Sequence, residues 1–181
     1  MYKIIGITGV ARVGKDTLFK CISDINSSIR VRRAAFADEL KNECDDFLRK
    51  NINISAFTER DEEKSIIRPF LVTYGTHIRR KLDKNCWIKK LNEKINASEE
   101  SESFIITDVR FENEAKWIKN KKGILVHLSR QGILPANKDE SEQDPILKSM
   151  SDIKVDVPTF KDDYMSQVKN IIQKKGELCF K

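Results

Sequence analysis

The stretch KIIGITGVARVGKDT, residues 3 to 17, constrains this chain more than any other. Lys3-Ile4-Ile5-Gly6-Ile7 is a short apolar, β-branched run that reads as a buried parallel strand. It leads into Gly9-Val10-Ala11-Arg12-Val13-Gly14-Lys15, the spacing of a phosphate-binding loop, and then into Asp16-Thr17-Leu18-Phe19-Lys20-Cys21-Ile22, whose apolar spacing is helical. The chemistry needs this order. Glycines let successive N–H groups turn inward around an anion, the helix N-terminus adds its dipole, and Lys15 supplies a mobile positive charge. A bare glycine turn explains the bend but not the strand, spacing and lysine together. Gly9, Arg12, Val13, Gly14, Lys15, Asp16 and Thr17 are therefore the expected contacts of a nucleoside triphosphate.

The motif ends in an unusual way. A Ser or Thr hydroxyl commonly follows the lysine and reaches Mg²⁺; here Asp16 fills that slot and Thr17 comes after it. A carboxylate can hold Mg²⁺ directly or through water, because hard cations take oxygen ligands. It can equally well only cap the helix, where negative charge is favoured. The residues alone leave both readings open.

A chain of 181 residues fits one domain. Its net charge of +6 permits nucleic acid as a partner, but the lysines are scattered, without a long basic run or interleaved aromatics. Anionic small substrates account for the same excess, so no nucleic-acid partner is expected. Cys21, Cys44, Cys86 and Cys179 stand far apart with no C-x-x-C pair, as reduced thiols of a cytoplasmic protein would. Met1 runs straight into the first strand, so no secretion signal is expected, and no apolar run is long enough to span a membrane.

Further along, residues 29 to 37 read as a second strand and Asp38 as the cap of a helix with Leu40, Cys44, Phe47 and Leu48 inward. Asp38 and Lys41 then fall at a strand's carboxyl end, where open α/β sheets place ligands. Residues 51 to 64 read as irregular or loosely helical. Pro69 suits a helix's first turn, with Leu71, Tyr74, Ile78 and Leu82 as its core stripe. Val72, Gly75 and Arg79 share another face, which Arg68 extends if it is helical. Gly75 costs ~1 kcal/mol against alanine in a helix. It serves either as the floor of a groove for a base and phosphate or as a close helix contact. His77 and His127 read as structural, and Trp87 opens an amphipathic stretch with Ile88, Leu91 and Ile95.

Residues 97 to 103 read as an acidic linker before the strand Phe104-Ile105-Ile106-Thr107-Asp108. Asp108 is the natural second acidic element for Mg²⁺, and Arg110 would point from the same strand end toward phosphates. A helix over 112–121 with Ala115 and Ile118 inward, a strand over 123–128, and a polar lid loop over 129–145 follow, with Arg130 at the lid's root. A strand over 153–157 and a helix opened by Pro158-Thr159 close the chain. The expected fold is α/β: a P-loop NTPase-type parallel five-stranded sheet with helices on both faces, a helical insertion and a lid. It is expected to be one nucleotide-binding domain, with its core in 1–37 and 103–181 and the helical insertion at about 38–96.

These blocks together resemble the bacteriophage-type deoxynucleoside monophosphate kinases of the P-loop nucleoside monophosphate kinase group. The resemblance rests on GVARVGKDT, Ala37 to Lys41, Arg68 with Tyr74-Gly75-Thr76 and Trp87, Thr107-Asp108-Val109-Arg110 with Glu114, and Arg130 with Ser141-Glu142. It implies transfer of the γ-phosphoryl of Mg·ATP to a deoxynucleoside 5′-monophosphate. Lys15, Asp16, Arg110 and Arg130 would be catalytic, and Asp16 and Asp108 the metal residues. Asp38, Lys41, Arg68, Gly75, Thr76, Arg79, Trp87, Asp108, Arg110, Glu114 and Glu142 would bind the acceptor. The resemblance also permits a homodimer. Two features depart from the family: Asp139 stands where relatives carry a lid histidine, and the 45–65 segment is shorter than in longer relatives. The alternatives are a kinase of another small phosphorylated acceptor, of dephospho-coenzyme A or phosphomevalonate type, and an ATP-dependent nucleic-acid-binding module.

Overall fold

The structure, a computed structural model, describes residues 3–25, 30–99 and 101–157 together with Ser166 and Asn170. In chain order its elements are β1 (Ile4–Thr8), α1 (Lys15–Ile25), β2 (Val31–Ala34), α2 (Phe36–Ile52), α3 (Asp61–Val72), a π-helical stretch (Thr73–Arg79), α4 (Arg80–Leu82), α5 (Cys86–Asn96), β3 (Ser103–Val109), α6 (Glu112–Asn120), β4 (Ile124–Arg130), α7 (Lys138–Met150) and β5 (Ile153–Val157). They fall into two compact units, residues 35–97 and the remainder.

The larger unit is the expected parallel α/β sheet. Its five strands run in the order β2-β3-β1-β4-β5, and each neighbouring pair is parallel. Successive side chains of a strand point to opposite faces, and β1 uses both. Ile5 and Ile7 pack with Leu18, Cys21 and Ile22 of α1. Gly6 faces the other way, where a Cβ would stand 2.5 Å from Cδ1 of Ile118 on α6. With helices on both faces, β1 is apolar up to its last residue, Thr8, and all five of its residues are buried. Each such aliphatic side chain contributes about 1.5–3 kcal/mol of burial. Because β1 has β3 on one side and β4 on the other, the winding reverses at its carboxyl end. Ligands collect at such a reversal in open parallel sheets, and here it is followed directly by residues 9–14.

The smaller unit is helical, and it corrects several sequence expectations. β2 ends at Ala34 and α2 starts at Phe36 with Ala35 at the cap, so Asp38 sits in the first turn and is not the cap. An acid there meets the helix dipole either way, which hides the boundary. Phe47 is 55% exposed, unlike buried Cys44 and Leu48. α3 begins at Asp61, inside the stretch read as irregular or loosely helical, with Asp61, Glu62 and Glu63 in its first turn; Pro69 lies within this helix and does not start it. The stripe expected over 71–82 fails halfway. Leu71 and Tyr74 are half-buried, but Ile78 and Leu82 are 47% and 78% exposed. The cause is the π-helical stretch: its i→i+5 bonds widen the turn, so a spacing of three and four no longer stays on one face. Trp87, Ile88, Leu91 and Ile95 are buried as expected.

Two corrections fall in the larger unit. Within the supposed acidic linker, Glu102 is 2% exposed and pairs with Arg30 (3.2 Å) and Arg32 (3.1 Å), and Ser103 already belongs to β3. The supposed lid loop is helical from Lys138 onward, because the Asn137 side chain accepts from the Glu140 N–H and caps α7. The expected final helix and Cys179 lie outside the described residues, Ser166 and Asn170 excepted; Cys21, Cys44 and Cys86 are buried.

Candidate active site at the phosphate loop

The loop after β1 has the backbone of an anion cradle. Gly9 (φ 131°), Arg12 (φ 64°) and Gly14 (φ 106°) all take positive φ. Alternation of right- and left-handed residues turns successive N–H groups toward one point. Gly9 has no room for a side chain, since a Cβ would stand 2.2 Å from the Leu128 carbonyl oxygen of β4. α1 starts at Lys15 and closes its first bond from Leu18 N–H to Gly14 O (3.0 Å), so its dipole points at the loop.

Lys15 Nζ donates to the carbonyls of Gly9 (2.7 Å) and Val10 (2.8 Å), which folds the side chain back over the loop. Burial pushes its pKa below the ordinary lysine value and Arg110 adds to this, while Glu140, Asp16 and Asp108 oppose the shift. These groups therefore share one electrostatic neighbourhood. Arg110 is exposed just past β3. Its backbone is held by Glu114, a 1%-exposed carboxylate whose Oε2 accepts from the N–H groups of Arg110 (2.8 Å) and Phe111 (3.1 Å). Glu114 thus fixes the chain that carries Arg110 and faces no solvent itself. Arg130 ends β4 and donates to Arg12 O at 3.1 Å, bringing another cation onto the loop. Asp16 is exposed, Thr17 and Asp108 are half-buried, and Val13 is in the core. Glu142 lies out on α7, exposed and 3.6 Å from Lys138.

One participant was missed in the sequence. Glu140 Oε2 accepts from Ala11 N–H of the loop (3.2 Å) and from Ala136 N–H (2.9 Å). The pattern Asn137-x-x-Glu140 is a capping signature that could have revealed it. A cavity of about 440 Å³ opens beside Arg130, lined also by Ser129, Gln131, Asp156 and Val157 at the carboxyl ends of β4 and β5.

The smaller unit holds the other expected residues, built around Glu43, which the sequence reading passed over. This carboxylate accepts from the Tyr74 hydroxyl and from Arg79 Nη2 (3.4 Å), and it is ion-paired with Arg79 Nε (2.9 Å) and Lys90 Nζ (2.6 Å). Burial alone would raise its pKa, but Lys90, Tyr74 and Arg79 outweigh that and lower it. The same hydrogen bond pushes the Tyr74 phenol up to about 12. The Arg79 guanidinium lies over the Trp87 ring at 5.6 Å. Trp87 is 2% exposed and donates Nε1–H to Gly75 O (3.3 Å). Gly75 is buried against α2, where a Cβ would meet Leu40 Cδ2 at 2.6 Å. Of the two readings of Gly75, the structure shows the helix contact. Arg68 is exposed, Thr76 and Asp38 are half-buried, and half-buried Lys41 lies 5.4 Å over the Phe57 ring.

No curated protein matches the chain in sequence. Among solved structures it is similar to dephospho-CoA kinase from Campylobacter jejuni (13% identity over 97% of this chain and 99% of that one, TM-score 0.44). It is also similar to shikimate kinase from Acinetobacter baumannii in complex with shikimate (10%, 100% and 97%, TM-score 0.49) and to an unliganded sugar kinase from Janibacter sp. (11%, 100% and 100%, TM-score 0.48). Likenesses this loose bear on neither fold nor substrate. The sequence model of one family, described as deoxynucleotide monophosphate kinase, matches residues 18–155. That match begins just past the loop, so the anion cradle is an observation independent of it. Since the match spans well over half of the 181 residues, the chain belongs to the deoxynucleotide monophosphate kinase family.

Proposed function

We propose that this kinase transfers the γ-phosphoryl of ATP to the 5′-phosphate of a deoxynucleoside monophosphate, giving a deoxynucleoside diphosphate and ADP. An oxygen of the acceptor phosphate attacks the γ-phosphorus in line, and the bond to the β–γ bridging oxygen breaks. The acceptor is already an anion at neutral pH, so no strong general base is required. Positioning and charge neutralisation do the rest. The observation that carries this reading is Lys15, held over a loop of positive-φ backbone within the field of Arg110.

Each core residue then has a task. Loop amides and Lys15 bind the donor phosphates, and Arg110 neutralises charge on the transferred group. Arg130 does so from the loop's other side; one such arginine is worth ~10³–10⁵ in rate in related chemistry. The cavity beside Arg130 suits the donor nucleoside. Mg²⁺ typically takes one or two carboxylates and fills its other positions with phosphate and water. Asp16 and Asp108, both acting on Lys15, fit that donor set and would hold it. Bound there, the ion would offset phosphate charge. Asp38, Lys41, Arg68, Thr76 and Arg79 are the proposed acceptor residues on the helical unit, which we read as the substrate-binding insertion. For residues 129–145 a lid role is proposed, with Glu142 on its helix.

A coupled ADP-release assay across deoxy- and ribonucleoside monophosphates tests the reading, with Lys15→Ala as control. Turnover of at least one deoxynucleoside monophosphate is expected, lost ~10³-fold or more in the folded control. Turnover confined to another phosphorylated acceptor, or none at all, overturns it.

A further inference from the structure

The reading of the loop as an ATP site has a consequence for Glu140. Inward-turned amides attract any anion of suitable reach, and a carboxylate oxygen offers the same charge sign and acceptor chemistry as a phosphate oxygen. Glu140 is such an anion, carried by the chain itself. One oxygen, Oε2, takes N–H groups from residues 125 positions apart, Ala11 in the loop and Ala136 before α7. The first contact is the longer, 3.2 Å against 2.9 Å, and it is the one that ties α7 to the loop. The Asn137 cap fixes the Glu140 backbone (N–H to Oδ1, 2.9 Å), which turns its side chain back toward the loop.

We propose that Glu140 is a tethered competitor of the nucleotide: its carboxylate holds the phosphate loop at Ala11, and ATP must displace it, releasing the start of α7. Lys15 and Arg110 support the same placement. Burial would neutralise this carboxyl, yet the two amides and these two cations keep it ionised. The displaced side chain keeps Ala136 and the cap, so only the link to the loop breaks. Arg130 grips Arg12 O from the other end of the connecting segment. Residues 131–139 thus form a strap fastened to the loop at both ends, and donor binding unfastens one of them. This makes the strap respond to ATP before any acceptor arrives.

A tethered competitor lowers apparent affinity by the fraction of molecules already open; if about a tenth are open, freeing the loop tightens binding ~10-fold. The test is equilibrium binding of ATP to the full chain by calorimetry, with Mg²⁺ and with EDTA, for wild type, Glu140→Gln, Glu140→Asp and Lys15→Ala. Glu140→Gln removes the charge. Glu140→Asp keeps the charge and shortens the reach by a methylene, so it cannot span both amides. Both are expected to bind ATP ~10-fold tighter than wild type in both conditions. Tightening in Glu140→Gln but not Glu140→Asp would mean simple charge repulsion and overturns the proposal. Weaker binding in either variant, or loss confined to the Mg²⁺ arm, makes Glu140 a ligand-supporting residue and also overturns it. Equal affinities in all but Lys15→Ala end this inference while sparing the proposed function. No binding by any protein ends both. Thermal unfolding without ligand checks each variant, and Glu140→Asp carries the test if Glu140→Gln fails to fold.

Discussion

The sheet unit and the helical unit use their residues in opposite ways. In the sheet unit the strands are sealed on both faces, and charged groups gather at one strand-end loop, where Lys15, Arg110, Asp108, Asp16 and Glu140 act on one another. In the helical unit the charge cluster lies among the helices, around Glu43. Apolar surface is left outside: seven of the nine exposed large hydrophobics among the described residues are Phe47, Ile52, Phe57, Ile66, Val72, Ile78 and Leu82. Phe47 stacks on Phe70 and Phe70 on Tyr74, a ladder reaching from the exposed Phe47 to the half-buried Tyr74. The contrast teaches that a site on a sealed sheet is specified by a few loop residues, whereas a helical site depends on how each helix is turned.

The two glycines test this contrast with the largest expected effect. Gly9→Ala forces a side chain onto φ 131° and against the Leu128 carbonyl oxygen, which is backbone and cannot move aside. We expect at least ~10²-fold loss of turnover, because a ~1 Å displacement of a reacting group costs that much. Gly75→Ala meets only the end of the Leu40 side chain. Overpacking of about 1–3 kcal/mol is offset there by ~1 kcal/mol of helix propensity. Steady-state kinetics and urea unfolding on both variants check this. If Gly75→Ala impairs kcat as severely as Gly9→Ala, the contrast breaks and Gly75 has a chemical role.

Trp87 comes next. Its indole is in the helical unit's core, so Trp87→Ala should cost about 3–5 kcal/mol. Trp87→Phe keeps most of the ring and loses chiefly the bond to Gly75 O, worth about 1 kcal/mol. Denaturant unfolding reads both. An unchanged unfolding midpoint in Trp87→Ala with a raised acceptor KM would instead make Trp87 a substrate platform.

Glu43→Gln probes the cluster itself. Removing the carboxylate leaves Lys90 and Arg79 facing a neutral amide, a loss of about 1–3 kcal/mol. The clearer readout is the Tyr74 phenol, held at about 12 chiefly by its bond to Glu43. Ultraviolet titration should find it moved down toward the ordinary tyrosine range. An unmoved Tyr74 would mean that the phenol does not bond Glu43.

The same contrast explains what could be read from sequence. Residues 3 to 17 carry strand, turn, cation and helix start in covalent succession, so neighbours in sequence are neighbours in space. Strand periodicity placed β3, β4 and β5 for the same reason. Glu102, Glu43 and Glu140 were invisible because their partners stand 72, 36 and 129 residues away. A buried carboxylate looks like a surface one until its cations are placed. The π-helical stretch was hidden differently: 3.6-residue periodicity was assumed across Thr73–Arg79, and the widened turn carried Ile78 and Leu82 outward. Pro69 read as a helix start because proline suits a first turn, although Asp61, Glu62 and Glu63 already marked one eight residues earlier.

The smallest expected effect separates the two units by pH. His127 is 1% exposed on β4, with Nε2 3.1 Å from Asp144 of α7, Lys148 of the same helix near it and Asp156 on β5. Burial lowers its pKa, and Asp144 opposes without prevailing. A histidine held neutral when folded binds fewer protons than it does unfolded, so stability falls with pH below the ordinary value of 6.5. That loss ends once pH passes the folded pKa. Glu43, by contrast, has a lowered pKa and titrates below its ordinary 4.5, so its stabilisation survives to more acid pH before it is lost. The sheet unit should therefore weaken first on acidification, and the helical unit only under stronger acid. Hydrogen exchange between pH 7 and 5 would show it: β4 amides lose protection in wild type, those of α2 and α5 hold, and His127→Gln flattens the β4 response. Equal loss in both units, or an unchanged slope in His127→Gln, would place the acid sensitivity elsewhere.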